Sequence, residues 1–413
     1  MVTPTAARMM QATRAMRFRQ TAFQQKGFVF RENRVPYYQR LFQNHDGKRQ
    51  WWKTHRSPYI LYPYYVILYG SFVTSFYGMQ RDVPDFVRRY APVAYLSATE
   101  KYFPSDLTTH LANSHPVTGS GNPIPYTGPL SLTNLNTLTT NPNSNSNSGQ
   151  TDIYTTSNTG ILSLPSWFQG TKPSPDGTLG TTRASVIITV SKPNNILDVF
   201  YFYFYTYNQG NWVLDNPALE FGNHVGDWEH TMIRFQNSVP QSIYYSQHST
   251  GQAFSYSAVE KASDGLRPVV YVARGSHANY AVPGPHDHTI PGFNSPVGPL
   301  KDHTDRGVYW DPSVGAYVYE YDVATGLFRA YEPNDPIEFL GFEGRWGDRQ
   351  LGDKEKGQIN VFGARKYTGG PTGPRDKKLA REAVCPDSKG CWVRPVLMPR
   401  EVDGEKGRGE DMR

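Results

Sequence analysis

Apolar and polar positions alternate through most of the chain from about residue 84 onward. ASVIITVS alternates, and LDVFYFYFYTYN sets Val199, Tyr201, Tyr203, Tyr205 and Tyr207 on one face and Phe200, Phe202 and Phe204 on the other. A period of two is the signature of a strand, and a strand that is apolar on both faces is a central one, covered above and below. HTMIRFQ, QSIYYSQHS, RPVVYVARGSH and AYVYEYD follow, separated by turn residues, with no long amphipathic helix among them. Such a train of strands predicts an all-β domain built as a β-sandwich. Its first strand falls in YAPVAYLSATEKYFPSD, where alternation ends on a Pro-Ser-Asp turn.

The pattern breaks in four places, and the breaks divide the chain. Residues 1–31 carry Arg8, Arg14, Arg17, Arg19, Lys26 and Arg31 and no acidic residue. That is the charge pattern of a mitochondrial presequence, and it lacks the apolar stretch of a secretory signal. Residues 32–83 contain the run Ser57 to Gln80, which has no charged residue and is long enough to cross a bilayer. Trp51, Trp52 and the tyrosines of the run suit an interfacial belt, and Lys48, Arg49, Lys53 and Arg56 lie on its N-terminal side. One transmembrane helix is therefore expected, with its N-terminus on the matrix or cytoplasmic side. Residues 84–399 form the β domain. Within it, 113–158 is rich in Ser, Thr, Asn, Gly and Pro, and NPNSNSNSG reads as an exposed, mobile loop. Residues 400–413 are a charged tail.

Composition supports the strand reading. Aromatics make up 14% of the 413 residues, led by 28 tyrosines, with 37 glycines and 32 prolines. That mixture favours many short strands joined by turns. The net charge of +6 is concentrated at the N-terminus, and no basic patch interleaves with stacking aromatics. Nucleic acid is not an expected partner. Cys385 and Cys391, in CPDSKGC, are too few for a four-cysteine zinc site. They form a local disulfide if the domain lies in an oxidising compartment, and stay reduced otherwise.

The densest polar cluster beside a strand is FGNHVGDWEH, residues 221–230. In an extended segment Asp227 and Glu229 share a face, and His224 precedes them across a turn expected at Gly226. Two carboxylates and an imidazole converging on one point need something positive among them. A hard divalent cation, Mg, Ca or Mn, is the simplest occupant, and Asp215 in WVLDNP is a candidate fourth ligand. The alternative is an ion-pair cluster with Trp228 packed in the core. His248, His277, His286 and His288 lie at or after strand ends, where sandwich domains carry binding loops. Tyr280 offers a flat amphipathic ring for a sugar or inositol. Ser246, His248 and Asp227 do not make a hydrolase triad, because no G-x-S-x-G elbow is present and Ser-x-His on one strand does not set up attack.

Three resemblances extend this reading. VPYYQRLFQ and WWKTHRSPYILYPYYVILYGSFVTSFYG resemble fungal cytochrome c oxidase subunit VIIa, which implies a single span in the mitochondrial inner membrane. FPSD, TKPSPDG, DVFYFYFYTYN, FGNHVGDWEHTMIRFQ, YSQHSTGQAF, RPVVYVARGSHANY, HDHTIP, FNSPVGPL, GRWGD and KYTGGPTGP resemble the vacuolar protein sorting-associated protein 62 family. That resemblance implies a part in vacuolar trafficking and an address in the vacuolar or endomembrane pathway. GNHVGDWEH and SQHS are similar, more distantly, to necrosis- and ethylene-inducing peptide-like proteins, whose motif has an Arg-His pair where this chain has Val225 and Gly226. Those are sandwiches that hold a divalent cation and engage lipid head groups. The leading expectation is thus non-enzymatic: a metal-centred site that binds a polar lipid or glycan head group. The rivals are a metal-dependent hydrolase, in which the held metal activates water, and a respiratory-complex subunit carrying a passenger domain.

Overall fold

The thirteen-residue strand Ile196–Asn208 sits inside an eight-stranded sheet, antiparallel to Ser185–Lys192 on one side and to His224–Gln236 on the other. The computed structural model describes residues 33–49, 52–54, 56–77, 83–139, 152–287 and 297–397. The chain divides into two compact units, Met1–Arg81 and Asp82–Arg413.

The first unit has two helices among its described residues, Val35–Gln43 and Ser57–Tyr77. The second has 21 residues and no charge, yet it corrects the expectation of a membrane span. Among the described residues, no helix is long and apolar enough to cross a membrane. Six of its residues are tyrosines, Ser57, Ser71, Thr74 and Ser75 add hydroxyls, and Pro63 interrupts the hydrogen-bond ladder. Hydroxyls must find partners that hydrocarbon does not offer. Absence of charge had stood in for apolarity, and the two differ here by the phenols. The presequence-like residues 1–31 and the tail 400–413 lie outside the described residues.

The second unit is a β-sandwich. The large sheet runs in the order Leu327–Ala330, Tyr317–Asp322, Ser185–Lys192, Ile196–Asn208, His224–Gln236, Val239–Gln247, Thr250–Ser255, Val393–Arg394. A four-stranded sheet, in the order Asn279–Tyr280, Val269–Val272, Val93–Leu96, Val308–Trp310, packs against it. Val199, Tyr201, Tyr203 and Tyr205 meet Ala94, Leu96, Val270, Val272 and Trp310 in the core between the sheets. Phe200, Phe202 and Phe204 point the other way. They pack beneath a lid of short helices and loops that includes Leu107, Leu135, Phe339, Trp346 and Leu379. Each such side chain, fully buried, is worth about 1.5–3 kcal/mol, so both faces of the central strand are stabilised by burial.

The segment 113–158 is more ordered than its composition suggested. Its ends pair as an antiparallel ladder, Ser114–Thr118 with Ile153–Ser157, and Leu130, Leu132, Leu135 and Leu138 are buried in the lid. The run NPNSNSNSG falls outside the described residues. At the C-terminal end Cys385 and Cys391 are joined, and Val393–Arg394 then adds to the sheet edge beside Thr250–Ser255.

Candidate functional site

His224–Gln236 runs as one continuous strand, so Gly226 makes no turn. It is glycine for another reason. Its φ is +73°, and a Cβ there would stand 1.5 Å from the carbonyl oxygen of Trp346. Only glycine allows both that dihedral and that approach. The local kink lets His224 fold back, its Nδ1 donating to the Gly226 carbonyl at 2.7 Å.

Beyond Gly226 the alternation resumes. Asp227 and Glu229 lie on the intersheet face, opposite Tyr205 and Tyr203, while Trp228 enters the lid core. Each carboxylate residue is only 5% exposed. Asp227 Oδ2 accepts from His277 Nδ1 at 3.0 Å, and His277 Nε2 donates to the Tyr102 carbonyl at 2.9 Å. Both ring nitrogens thus donate, and the ring lies flat on Tyr205 at 3.7 Å. Burial opposes a charged imidazole, but the bond to Asp227 and the charges of Glu100 and Asp227 overcome it, and the pKa of His277 is raised. Ser246 donates its hydroxyl to Glu229 and accepts from the backbone N–H of His230 at 2.9 Å. Burial first, and then the charge of Asp227, push the Glu229 carboxyl up to about 8. His224 moves the other way, lowered by burial.

His248 reaches the same region from the two-residue turn between Val239–Gln247 and Thr250–Ser255. Its Nε2 donates to Asp302 Oδ2 at 2.8 Å, and its side chain remains 33% exposed, at the rim. Burial works against its charge, yet Asp302, then Glu229 and Asp227, raise it to about 9. His248 and His277 both have positive φ, 55° and 56°. Such conformations are uncommon outside glycine and concentrate at functional sites.

Two members of this network were not picked out from the sequence. Asp302 is buried and accepts from four side chains: His248, Tyr280 at 2.6 Å, Asn211 at 2.8 Å, and Ser276. Glu100 accepts the backbone N–H of Gly275 at 2.7 Å and so fixes the loop that carries His277. Neither has a local signal beyond being acidic beside a strand.

The other expected residues are placed as follows in the fold. Asp215, the candidate fourth ligand, sits in an exposed turn, paired with Lys301 at 2.6 Å and His303 at 2.9 Å. Tyr280 offers no open ring face, because it is buried, donates to Asp302 and stacks on His286 at 3.9 Å. His286 is itself buried, its Nε2 beside the Val282 carbonyl and Thr304, and burial takes it down to about 4. His288 lies outside the described residues. Among the described residues, no three His, Cys, Asp or Glu side chains form a group that could hold a metal ion. The carboxylate pair suits a cation, but a full ligand set is not assembled around it.

The family model for vacuolar protein sorting-associated protein 62 matches residues 73–349. The chain belongs to that family. Two relatives from Saccharomyces cerevisiae agree. Vacuolar protein sorting-associated protein TDA6 is 34% identical over 78% of this chain and 74% of its own length. Vacuolar protein sorting-associated protein 62 is 33% identical over 79% and 74%. A part in vacuolar protein sorting, in the vacuolar and endomembrane pathway, follows for the family domain. Residues 33–83 match the model for cytochrome c oxidase subunit VII. Among solved structures, Necrosis and Ethylene inducing Protein 2 from the causal agent of cocoa's Witches Broom disease overlaps 48% of this chain and 68% of its own, at 9% identity and a TM-score of 0.23. The non-toxic HaNLP3 protein overlaps 58% and 77%, at 10% and 0.25. Overlaps of that size leave the site to be read from this chain's own residues.

Proposed function

We propose that the family domain serves vacuolar sorting by binding a polar head group, of a lipid or a glycan, together with a divalent cation at Asp227 and Glu229. The observation that carries this is the buried carboxylate pair itself. The two groups share one strand face, and among the described residues neither is ion-paired with a lysine or arginine. Their mutual repulsion in a low-dielectric setting is what a hard cation relieves. Ca²⁺ takes 6–8 oxygen ligands, and Mg²⁺ and Mn²⁺ also favour oxygen. Two protein carboxylates leave most positions to the head group's own oxygens, so cation and ligand bind together. His248, cationic and at the rim, is the side chain an incoming anionic or hydroxylated group meets first.

The test uses the full chain equilibrated with Ca²⁺ or Mn²⁺ and analysed for bound metal. Asp227→Asn and Glu229→Gln each lower metal affinity by about tenfold or more. Flotation on vesicles carrying inositol lipids or glycosylated sphingolipids falls with chelator and with either variant. Equal metal content in wild type and both variants overturns the reading.

A further inference from the structure

The short hairpin Asn360–Val361 and Ala364–Arg365 carries a side chain the fold does not use. Val361 pairs with Ala364, so the turn is Phe362-Gly363, with φ of 50° and 89°. Two positive φ values make a type I′ turn, for which Asn-Gly is the favoured pair. A bulky aromatic at such a φ is an outlier held against backbone strain. Phe362 is also completely exposed, at 106%. Neither local geometry nor packing accounts for it.

The surroundings say what does. Ile359 and Val361 are exposed on the same hairpin, and Leu162 and Leu164 are exposed close by, Leu162 lying against Gly357. Asp353 ties the preceding loop to the hairpin through Asn360 at 3.0 Å and Arg365 at 2.8 Å. Residues 349–367 hold five basic residues against two acidic. Arg349 and Arg365 are paired with Glu355 and Asp353, which leaves Lys354, Lys356 and Lys366 as the excess charge of the hairpin and the loop tied to it. An apolar tip with excess lysines in the adjoining chain is complementary to an anionic bilayer, where the tip enters the interface and the ammonium groups meet head groups. The hairpin is also fastened to the strand that carries the candidate site. Gly222 and Asn223 donate their N–H groups to the Arg365 and Lys366 carbonyls at 2.9 and 2.8 Å, and His224 follows directly.

We infer that the 359–366 hairpin is a membrane-contact finger, which inserts Phe362 into the interface of an anionic lipid bilayer. This deepens the head-group reading above by bringing the domain to a lipid surface, but it depends on different residues, so the two can fail separately.

The experiment is flotation of the full chain with vesicles of phosphatidylcholine plus phosphatidylserine, and of phosphatidylcholine alone. Phe362→Asn supplies the residue this turn prefers, so its melting temperature should equal or exceed wild type while binding to the mixed vesicles falls about tenfold. Lys354→Glu with Lys356→Glu should remove the preference for the anionic vesicles. A fluorophore on Phe362→Cys, specific because the natural cysteines are joined to each other, should shift to the blue on the mixed vesicles. Asp227→Asn should leave that shift in place even if metal binding fails. Undiminished flotation of Phe362→Asn overturns the inference. So does a fluorophore that stays in water, including the case where the hairpin is instead protected by another protein.

Discussion

The strand His224–Gln236 has two faces that are equally dry and electrostatically opposite. On the lid face, His230 accepts from Arg381 Nη2 at 3.0 Å, and the guanidinium lies over Phe200 and Tyr244, 4.7 and 5.3 Å from their ring centres. Burial, then Arg381 and Lys377, drive His230 well below the ordinary histidine range. Arg381 itself is brought down to about 10 by burial. On the intersheet face, His277 and His248 are raised, because carboxylates stand where the arginine stands on the other side. Burial alone depresses an imidazole on either face, so the neighbours decide the sign. A buried histidine is therefore not evidence of function by itself. The carboxylate face is the one that gathers acidic groups, with His277 and His248 set against Asp227 and Asp302.

The largest test of that contrast is Asp302→Ala. It removes the acceptor shared by His248, Tyr280, Asn211 and Ser276 and leaves buried donors unmatched. A loss of about 3–5 kcal/mol is expected, read from denaturant unfolding. A loss under about 1 kcal/mol would mean that water reaches these groups and that the intersheet face is not dry.

The lid face is tested more gently through its disulfide. Cys385 and Cys391 pack against the same cluster that holds Phe200 and Tyr244, a few residues beyond Arg381. Closing so short a loop is worth about 2 kcal/mol. Cys385→Ala with Cys391→Ala should lower stability by about that much and leave cation binding at Asp227 unchanged, since it acts on the other face. If metal binding falls with it, the two faces are coupled and the contrast is not a local one.

How much of this was readable in the chain follows from the range of each cause. The centrality of Ile196–Asn208 is written in thirteen consecutive residues, and the shared face of Asp227 and Glu229 needs only the period of a strand. Gly226 suggests a turn locally, but its constraint is the carbonyl of Trp346, which is remote in sequence. Asp302, in KDHTD, carries no local signal, and only the fold brings four donors to it. Tyr280 is amphipathic in the chain, and only the fold shows that its hydroxyl is taken by Asp302 and its ring by His286. The helix Ser57–Tyr77 lacks charges but is rich in hydroxyls, and the second property is the one that decides its apolarity. Local period carried the fold, while the site is made of contacts between strands.

Per pH unit the smallest expected effect, and across the whole range the most diagnostic, is the pH dependence of stability. Glu229 titrates near 8 in the folded protein against about 4.5 in an unfolded chain. Between those values the native state holds the extra proton, so the stability this group contributes is full below about 4.5 and is lost as pH rises through 8. His248, near 9 against 6.5, has the same sign, and its contribution is lost between 6.5 and 9. His230 has the opposite sign: its folded pKa is depressed, so stability is present above 6.5 and falls as the solution is acidified. The wild type should therefore be most stable between an acid limb, to which the depressed His230, His224 and His286 contribute, and an alkaline limb set by Glu229 and His248. Each proton contributes a slope of up to about 1.4 kcal/mol per pH unit, less where solvent screens the group. Glu229→Gln should flatten the alkaline limb below pH 8 and leave the acid limb alone. Saturating Ca²⁺ should flatten it in the wild type as well, because a bound cation favours the ionised carboxylate in the native state. Thermal unfolding across this range, with and without Ca²⁺, decides the matter. If wild type and Glu229→Gln give parallel profiles, Glu229 is already ionised in the native state, and the stored repulsion that distinguishes the two faces is not there.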